Sequence, residues 1–388
     1  MITEITVGNF GTFSTDKSVP LKGLTFLVGP NNSGKSTLLA GYLALATLNR
    51  RFGFQFPQYP DRLNIKGNFP SPFFQRIDPN NREGIVLGTL LKFQEGADAT
   101  YARGADAPIK FTVKGQFETG EASLSLKLTG YPSFNTYEVS AAAPNKESLN
   151  QLYSALKNTW AFPSSRDFIA PSSSVGYYAS DPITFGTKGI NVIQFLLEKW
   201  TDRDERWEEA ESWLKKLDPN INLLKSPLRR NDASIETSVK LQNQKYDFNI
   251  YSSGSGIQRA LQIICAVVFS DPGSVIVIEE PEMNLHNESQ NVLLDLFNSY
   301  VNNGKRQIIV STHSWDLILG VVRDLGMQTN RRGDGHVPTN KESFEMLKLS
   351  RDTSGIDITE YDLTNKKFSD IRSDFNMLWG ESTRHDHE

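Results

Sequence analysis

The eight residues Gly29-Pro30-Asn31-Asn32-Ser33-Gly34-Lys35-Ser36 constrain this chain more than any other stretch. The apolar run LTFLVG leads straight into them, and STLLAGYLALATLNRR follows, with apolar residues at helical spacing and no internal proline. A GxxxxGK[ST] segment between a strand and a helix is a phosphate-cradling loop: its glycines let backbone N–H groups approach an anion closely. The helix that starts there points its positive end at the same anion. The pattern assigns Lys35 to the β- and γ-phosphates and the Ser36 hydroxyl to Mg²⁺. Gly29, Asn32, Ser33, Gly34 and Thr37 complete the cradle.

A second chemistry-bearing segment is Val275-Ile-Val-Ile278-Glu279-Glu280-Pro281-Glu282. Four consecutive β-branched residues predict a strand buried on both faces. Carboxylates at its C-terminal end lie where open parallel sheets place ligands. Glu279 is expected in the Mg²⁺ shell, and Glu280 is expected to polarise the attacking water. Taken alone, the same residues also read as a solvated acidic loop after a strand. A third segment, Gln307-Ile-Ile-Val310-Ser-Thr-His313-Ser314, predicts another buried strand ending in a polar cluster. It follows the acidic strand by one helix, so the two strand ends are expected as neighbours. His313 would then face the γ-phosphate or the water. The fourth, Tyr251-Ser-Ser253-Gly254-Ser255-Gly256-Ile257-Gln258, opens a helix with small residues and makes an anion nest.

Around these motifs the chain alternates. Ile2 to Val7 predicts a first strand, and residues 52 to 84, rich in Pro, Asn, Phe and Gly without a steady period, predict a long irregular segment. From Ile85 to about Val139 the period switches to two, with Ile109, Phe111 and Val113 on one face and Leu124, Leu126 and Leu128 likewise, which predicts an antiparallel β lobe. Helices are expected around Val192, Phe195 and Leu196 and through Trp207, Ala210, Leu214 and Leu217, the second with acids at its start as the macrodipole favours. A hairpin is expected from Ile235, Thr237, Val239 and Leu241 against Tyr246, Phe248 and Ile250. The last part alternates strands and helices, as a parallel sheet with crossover helices requires, and closes with FEMLKLS and IDITEYDL as two strands. No sustained heptad run announces long coiled-coil arms.

Composition sets the class. In 388 residues, 38% are hydrophobic and 22% charged, which is ordinary for a globular chain with a substantial core. No apolar run reaches the roughly 18 residues of a membrane span. The start MITEITVGNF lacks the features of a signal peptide, so no membrane partner is expected. The single cysteine, Cys265, excludes disulfides within the chain and points to the cytoplasm. A net charge of −4 excludes a whole-molecule field for nucleic acid and leaves only local basic pairs such as Arg50 and Arg51, Arg229 and Arg230, and Arg331 and Arg332.

The P-loop, the SSGSG loop, the IEEPE strand and the STHS strand, in that order, resemble the ABC-type ATPase superfamily. Within it, IEEPEMNLH is most similar to the OLD (overcoming lysogeny defect), RecF and SMC-like branch of AAA-family ATPases, whose usual form is close to EEPExHLHP. NFGTF near the start and WAFPSSRDF in the middle resemble segments of that branch as well. The chain departs from the branch at Asn284 and Asn287, which stand where His and Pro are frequent. The resemblance covers residues 1 to 365. It implies an α/β P-loop NTPase fold, an ABC-type head with an antiparallel β lobe and an inserted helical segment. The ATPase core would comprise residues 1–50 and 250–365, the lobe and insertion 51–249, and the C-terminal tail 366–388. It also implies ATP and Mg²⁺ as cofactors and two heads closing face to face, so that the chain is a homo-oligomer. Ser253, Gly254 and Ser255 of one head would touch the γ-phosphate held by the other, in a register the motif leaves open. His313 would be the switch histidine. The region around Arg166 is the expected place of the Q-loop, with no glutamine assigned.

OLD nucleases continue into a Toprim domain with acidic metal ligands. About seventy-five residues follow the switch strand here, and no nuclease activity is expected of them. RRGDGH reads as a turn and RHDHE as a frayed end. Two readings of the function stand. In one, an OLD/RecF-like ATPase gates a separate effector, a nuclease or toxin, in bacterial defence against phage. In the other, a RecF/SMC-like ATPase of DNA repair or maintenance binds duplex across its closed heads. The nucleotide-binding subunit of a transporter is disfavoured by the long insertion and by IEEPE in place of a transporter pattern.

Overall fold

The computed structural model of the chain describes residues 1–10, 12–52, 62–68, 108–129, 136–162, 190–226, 237–303, 306–326, 339–351 and 355–361, together with residues 371, 373 and 374. In chain order the strands and helices are β1 (Ile2–Gly8), β2 (Lys17–Pro20), β3 (Leu24–Val28), α1 (Lys35–Phe52), β4 (Arg62–Asn68), β5 (Ile109–Phe117), β6 (Gly120–Thr129), β7 (Thr136–Ala142), α2 (Lys146–Lys157) and β8 (Thr159–Phe162). Then come α3 (Ile190–Thr201), α4 (Trp207–Leu217), β9 (Ile221–Lys225), β10 (Ser238–Leu241), β11 (Asp247–Asn249) and α5 (Ser255–Phe269). The chain continues through β12 (Val275–Glu279), α6 (Asn287–Asn302), β13 (Gln307–Thr312), α7 (Trp315–Gly326), β14 (Phe344–Arg351) and β15 (Ile356–Glu360). They form two compact units, one of Met1–Thr159 with Ser343–Glu388 and one of Trp160–Glu342.

In the first unit a six-stranded sheet runs β2-β1-β5-β6-β7-β4, with antiparallel pairing throughout. The alternation read in the sequence is realised: Ile109, Phe111, Val113, Leu124, Leu126 and Leu128 are all fully buried, and their neighbours face outward. The register sets Phe111 opposite Leu126 and also opposite Val7, so one apolar face continues from β6 across β5 to β1. The lobe therefore recruits the N-terminal strands, which alternation within 85–139 does not reveal. The helix α1 covers this face together with α2, and Gly41 of α1 comes close enough for Val7 and Phe111 to pack on it. At the start of α2, the Asn145 side chain accepts the Ser148 N–H at 2.9 Å, which caps the helix. The stretch from 52 to 84, expected to be irregular, contains β4 paired along its whole length with β7. Pairing with a partner some seventy residues away made that strand; its own composition does not announce it. The rest of that stretch lies outside the described residues.

The same unit holds β15-β14-β3, in which β14 runs parallel to β3 and antiparallel to β15. All five residues of β3 are buried, as are Phe344, Met346, Leu347 and Leu349 of β14. The two closing strands read from FEMLKLS and IDITEYDL are these.

In the second unit β12 and β13 pair in parallel, with Glu279 opposite Ser311, and β8 borders β12. Every residue of β12 and β13 is buried, as their β-branched content predicts for strands covered on both faces. The helices α5 and α6 pack on this pair, α7 on α6, and α4 on both α5 and α6. The helical expectations hold: Val192, Phe195, Leu196, Trp207, Ala210, Leu214 and Leu217 are buried, and Glu208 and Glu209 occupy the first turn of α4. Arg206 fastens the start of α4. It donates to Asp204 at 2.8 and 2.9 Å and to the Phe269 carbonyl at 2.9 Å, and it holds Asp204 well below the usual carboxylate range. The expected hairpin is β10–β11, with Val239 opposite Phe248, and it gains β9 as a third strand. Ile235 lies outside the described residues. Cys265 is fully buried in α5, and desolvation pushes its thiol up, away from reactivity. No helix among the described residues is long and apolar enough to cross a membrane.

Candidate functional site

The phosphate-cradling loop belongs to the first unit. The strand β3 stops at Val28, and the chain turns through residues 29 to 34 before α1 begins at Lys35. Gly29 has φ +152, and a Cβ there would collide with the carbonyl oxygen of Leu349 on β14. The loop can leave the strand this way only because that side chain is missing. Asn32, with φ +65, takes the left-handed conformation that asparagine tolerates. The Lys35 side chain is buried and lies within the loop, where its ammonium donates to the carbonyls of Gly29 at 2.6 Å and Pro30 at 2.8 Å. Ser36 is exposed at the first turn of α1, Thr37 is half-buried, and no acid stands in that turn. The N-terminal end of a helix, a lysine and no acid in the helix's first turn make a site for a polyanion.

The second unit carries the acidic strand end. Glu279 is buried at 9% exposure, whereas Glu280 keeps its side chain partly open at 26%. Glu280 has φ +49, an uncommon conformation for a non-glycine residue. Its N–H donates to the Ser311 carbonyl at 2.8 Å, so the bend is held by the neighbouring strand. A carboxylate presented on such a bend at a strand terminus is the kind of local strain that functional sites retain. The His313 ring stands beside it, with Nδ1 3.7 Å from Glu280 and equally 3.7 Å from Glu282. The expectation that the ends of the acidic strand and the histidine strand are neighbours is met.

The loop before α5 has Gly254 at the helix N-cap position and no side-chain cap. Ser252, Gly254 and Ser255 are exposed, and Ser253 turns its hydroxyl inward to the Ile250 carbonyl at 2.5 Å. Of the three residues read as a γ-phosphate contact, Gly254 and Ser255 thus present themselves outward, and Ser253 is engaged within the loop. The region around Arg166 lies outside the described residues, as do Arg229, Arg230, Arg331, Arg332, the RRGDGH turn and the RHDHE end.

Two residues absent from the sequence reading of the site organise it. Asn284, one of the departures from the branch pattern, sits at φ +63 and donates its side-chain amide to Ser255 Oγ at 2.8 Å. Its carbonyl oxygen lies so close to Gly256 that a Cβ there would overlap it. The turn after the acidic strand is therefore joined to the start of α5 by a hydrogen bond and by a close approach of backbones. Gly256→Ala should lower the free energy of unfolding by about 1–3 kcal/mol, the range for overpacking a fitted position. Chemical denaturation would measure it, and wild-type stability would show that the two segments are not held in contact. The other residue is Glu282, 8% exposed, which accepts from the Thr312 hydroxyl at 2.8 Å and from the His313 N–H at 3.1 Å. Burial pushes its carboxyl up from the ordinary carboxylate range, against the lowering effect of those hydrogen bonds. Its presence was visible in IEEPE, but nothing in a linear pattern signals that its carboxyl turns inward.

A strand-to-helix phosphate loop, and separately an acidic strand end followed by a histidine, are each features of α/β P-loop ATPases. The fold agrees with solved structures of SMC heads. A head bound to the C-terminal winged-helix domain of ScpA superposes with a TM-score of 0.54 over 96% of this chain and 99% of that one, at 11% identity. A second, with an extended coiled coil and bound to the C-terminal domain of ScpA derived from Pyrococcus furiosus, gives 0.51 over 97% and 99%, again at 11%. The chain belongs to the AAA ATPase domain family, which matches it over residues 1–158 and 127–318. It is 22% identical to an ATP/GTP phosphatase of Helicobacter pylori over 82% of this chain and 86% of that protein. It is 23% identical to an OLD nuclease of Thermus scotoductus over 81% of this chain, spanning 59% of that protein's length. The protein is a P-loop ATPase of this AAA family, and its fold is that of the SMC heads.

Proposed function

We propose that this ATPase acts as a pair of heads that close on ATP and transmit closure to a separate effector, a nuclease or toxin, in cytoplasmic defence against phage. Lys35 binds the β- and γ-phosphates, with Gly29, Asn32, Ser33, Gly34, Ser36 and Thr37 around them. Glu280 draws the proton from the attacking water, and His313 senses the γ-phosphate. Mg²⁺ fits the donor set: a serine hydroxyl and a carboxylate are hard oxygen ligands, and this ion completes its shell with phosphate and water. Ser36 and Glu279 would hold it, and it would neutralise charge on the transferring phosphoryl group.

Gly254 carries the head-pairing reading. Its φ of −59 is open to any residue, and a Cβ there would meet nothing within 4 Å. Its own fold therefore does not require a glycine at that place. A bare backbone at an exposed helix start suits an anion that approaches from outside, as the nucleotide on a second copy would.

Gly254→Asp is the test. It should fold and bind ATP like the wild type, yet fail to dimerise with ATP and lose hydrolysis, as light scattering and phosphate release would record. ATP-dependent dimers in this variant would refute closure through the loop. Recovery of a tagged chain from its host, as wild type and as Glu280→Gln, tests the output. A stoichiometric protein held or released with nucleotide state identifies the effector. Recovery of DNA without such a protein transfers the ATPase to repair or maintenance.

A further inference from the structure

Glu282 has no part in the ATPase chemistry described above, yet it is the most buried carboxylate at the acidic strand end. One of its oxygens, Oε1, accepts from both Thr312 and the His313 backbone, and lies 3.7 Å from the His313 ring. The other, Oε2, is buried with no hydrogen-bond partner among the described residues. A carboxyl kept at this cost of desolvation is unusual unless its contacts matter. All of those contacts go to Thr312, the last residue of β13, and to His313, which follows it.

The surroundings reinforce the same point. The Ser314 N–H donates to Thr312 Oγ1 at 2.9 Å, and the Ser314 hydroxyl donates to Gln290 at 2.6 Å. Gln290 in turn donates to the Leu285 carbonyl at 3.1 Å. His313 is thus bracketed by residues whose side chains are buried and bonded back to the turn 282–285, while its own ring is 45% exposed. An exposed ring on a freely rotating strand end would sample many orientations. The bonds on Oε1 fix the backbone from which the ring projects.

We propose that Glu282 is the positioning residue for His313, acting through the acceptor oxygen that Thr312 and the His313 N–H share; this rests on the reading of His313 as the γ-phosphate sensor. The role needs the acceptor and its reach, and it does not need the second oxygen. Glutamine at 282 preserves both requirements, whereas alanine removes the acceptor and leaves two buried donors unpaired.

The test is a double-mutant cycle on ATP hydrolysis by the full chain with Mg²⁺, read alongside the affinity of a fluorescent ATP analogue. His313→Ala should lower kcat about 100-fold, the range for a group acting in the transition state. Glu282→Ala should lower kcat on the order of 10-fold with analogue affinity unchanged, because the sensor is displaced and the cradle is not. Glu282→Gln should restore wild-type kcat. Adding Glu282→Ala to His313→Ala should cost nothing further, since a residue that acts only through another loses its effect when that other is gone. Should Glu282→Ala not fold, Thr312→Val, which removes one of the two donors, is measured in the same cycle and should show a smaller loss, also absent without His313. Full additivity in the cycle, or a wild-type kcat in Glu282→Ala and Thr312→Val beside an impaired His313→Ala, overturns the positioning role alone. Wild-type hydrolysis in His313→Ala overturns the sensor reading and this proposal with it.

Discussion

Lys35→Ala is expected to weaken ATP binding about 100-fold or more. Truncating one partner of a buried, hydrogen-bonded charge pair costs about 2–5 kcal/mol, and each 1.4 kcal/mol is tenfold in affinity. The geometry explains why the loss falls on binding. Lys35 is buried at 8% exposure, and its ammonium already points into the loop, 2.6 Å from the Gly29 carbonyl and 2.8 Å from that of Pro30. A charge held there reaches a phosphate in the cradle with little side-chain ordering left to do. Lys35→Arg should recover only part of the affinity, because a planar guanidinium does not fit a loop closed around an ammonium. Titration of a fluorescent ATP analogue decides the matter. Undiminished affinity in Lys35→Ala would take this residue out of phosphate binding.

Glu280→Gln should behave in the opposite way, with ATP retained and hydrolysis reduced by about 10²–10⁴, the usual contribution of a positioned general base. Glutamine keeps the size of the side chain, and the backbone at φ +49 stays tied to Ser311 by its N–H. What disappears is an oxygen able to take a proton from water. Equilibrium binding and single-turnover hydrolysis should therefore separate cleanly in this variant. Parallel losses of binding would mean that Glu280 holds the nucleotide, and its role in the chemistry would fall. Because ATP persists in such a variant, it is also the form in which paired heads should accumulate.

Much of the site was legible because its parts are local. A glycine-rich loop between an apolar strand and a helix, four β-branched residues before two glutamates, and a second buried strand followed by a histidine each carry their meaning within about eight residues. Legible too was the alternation of Ile109, Phe111 and Val113, all of which are buried. Alternation, however, defines a face and leaves the partner open. The pairing of β5 with β1, or of β4 with β7, joins segments about seventy to a hundred residues apart. In β4 the sequence RLNIKGN has too little apolar content to announce a strand by itself. The third strand β9, INLLK, is apolar enough but only five residues long, and its pairing with β10 across some fifteen residues is what makes it part of the hairpin's sheet.

Asn284 and Glu282 mark the division most sharply. The sequence by itself determined the phosphate loop, the class of fold and the residue types at the acidic strand end, because backbone conformation and strand burial follow from neighbouring residues. Only the tertiary structure decided that Asn284 bonds Ser255 and that Glu282 turns inward to Thr312 and His313. Those contacts span 29 to 31 residues, and a side chain's direction across such a span is set by packing. Linear spacing carries no record of it.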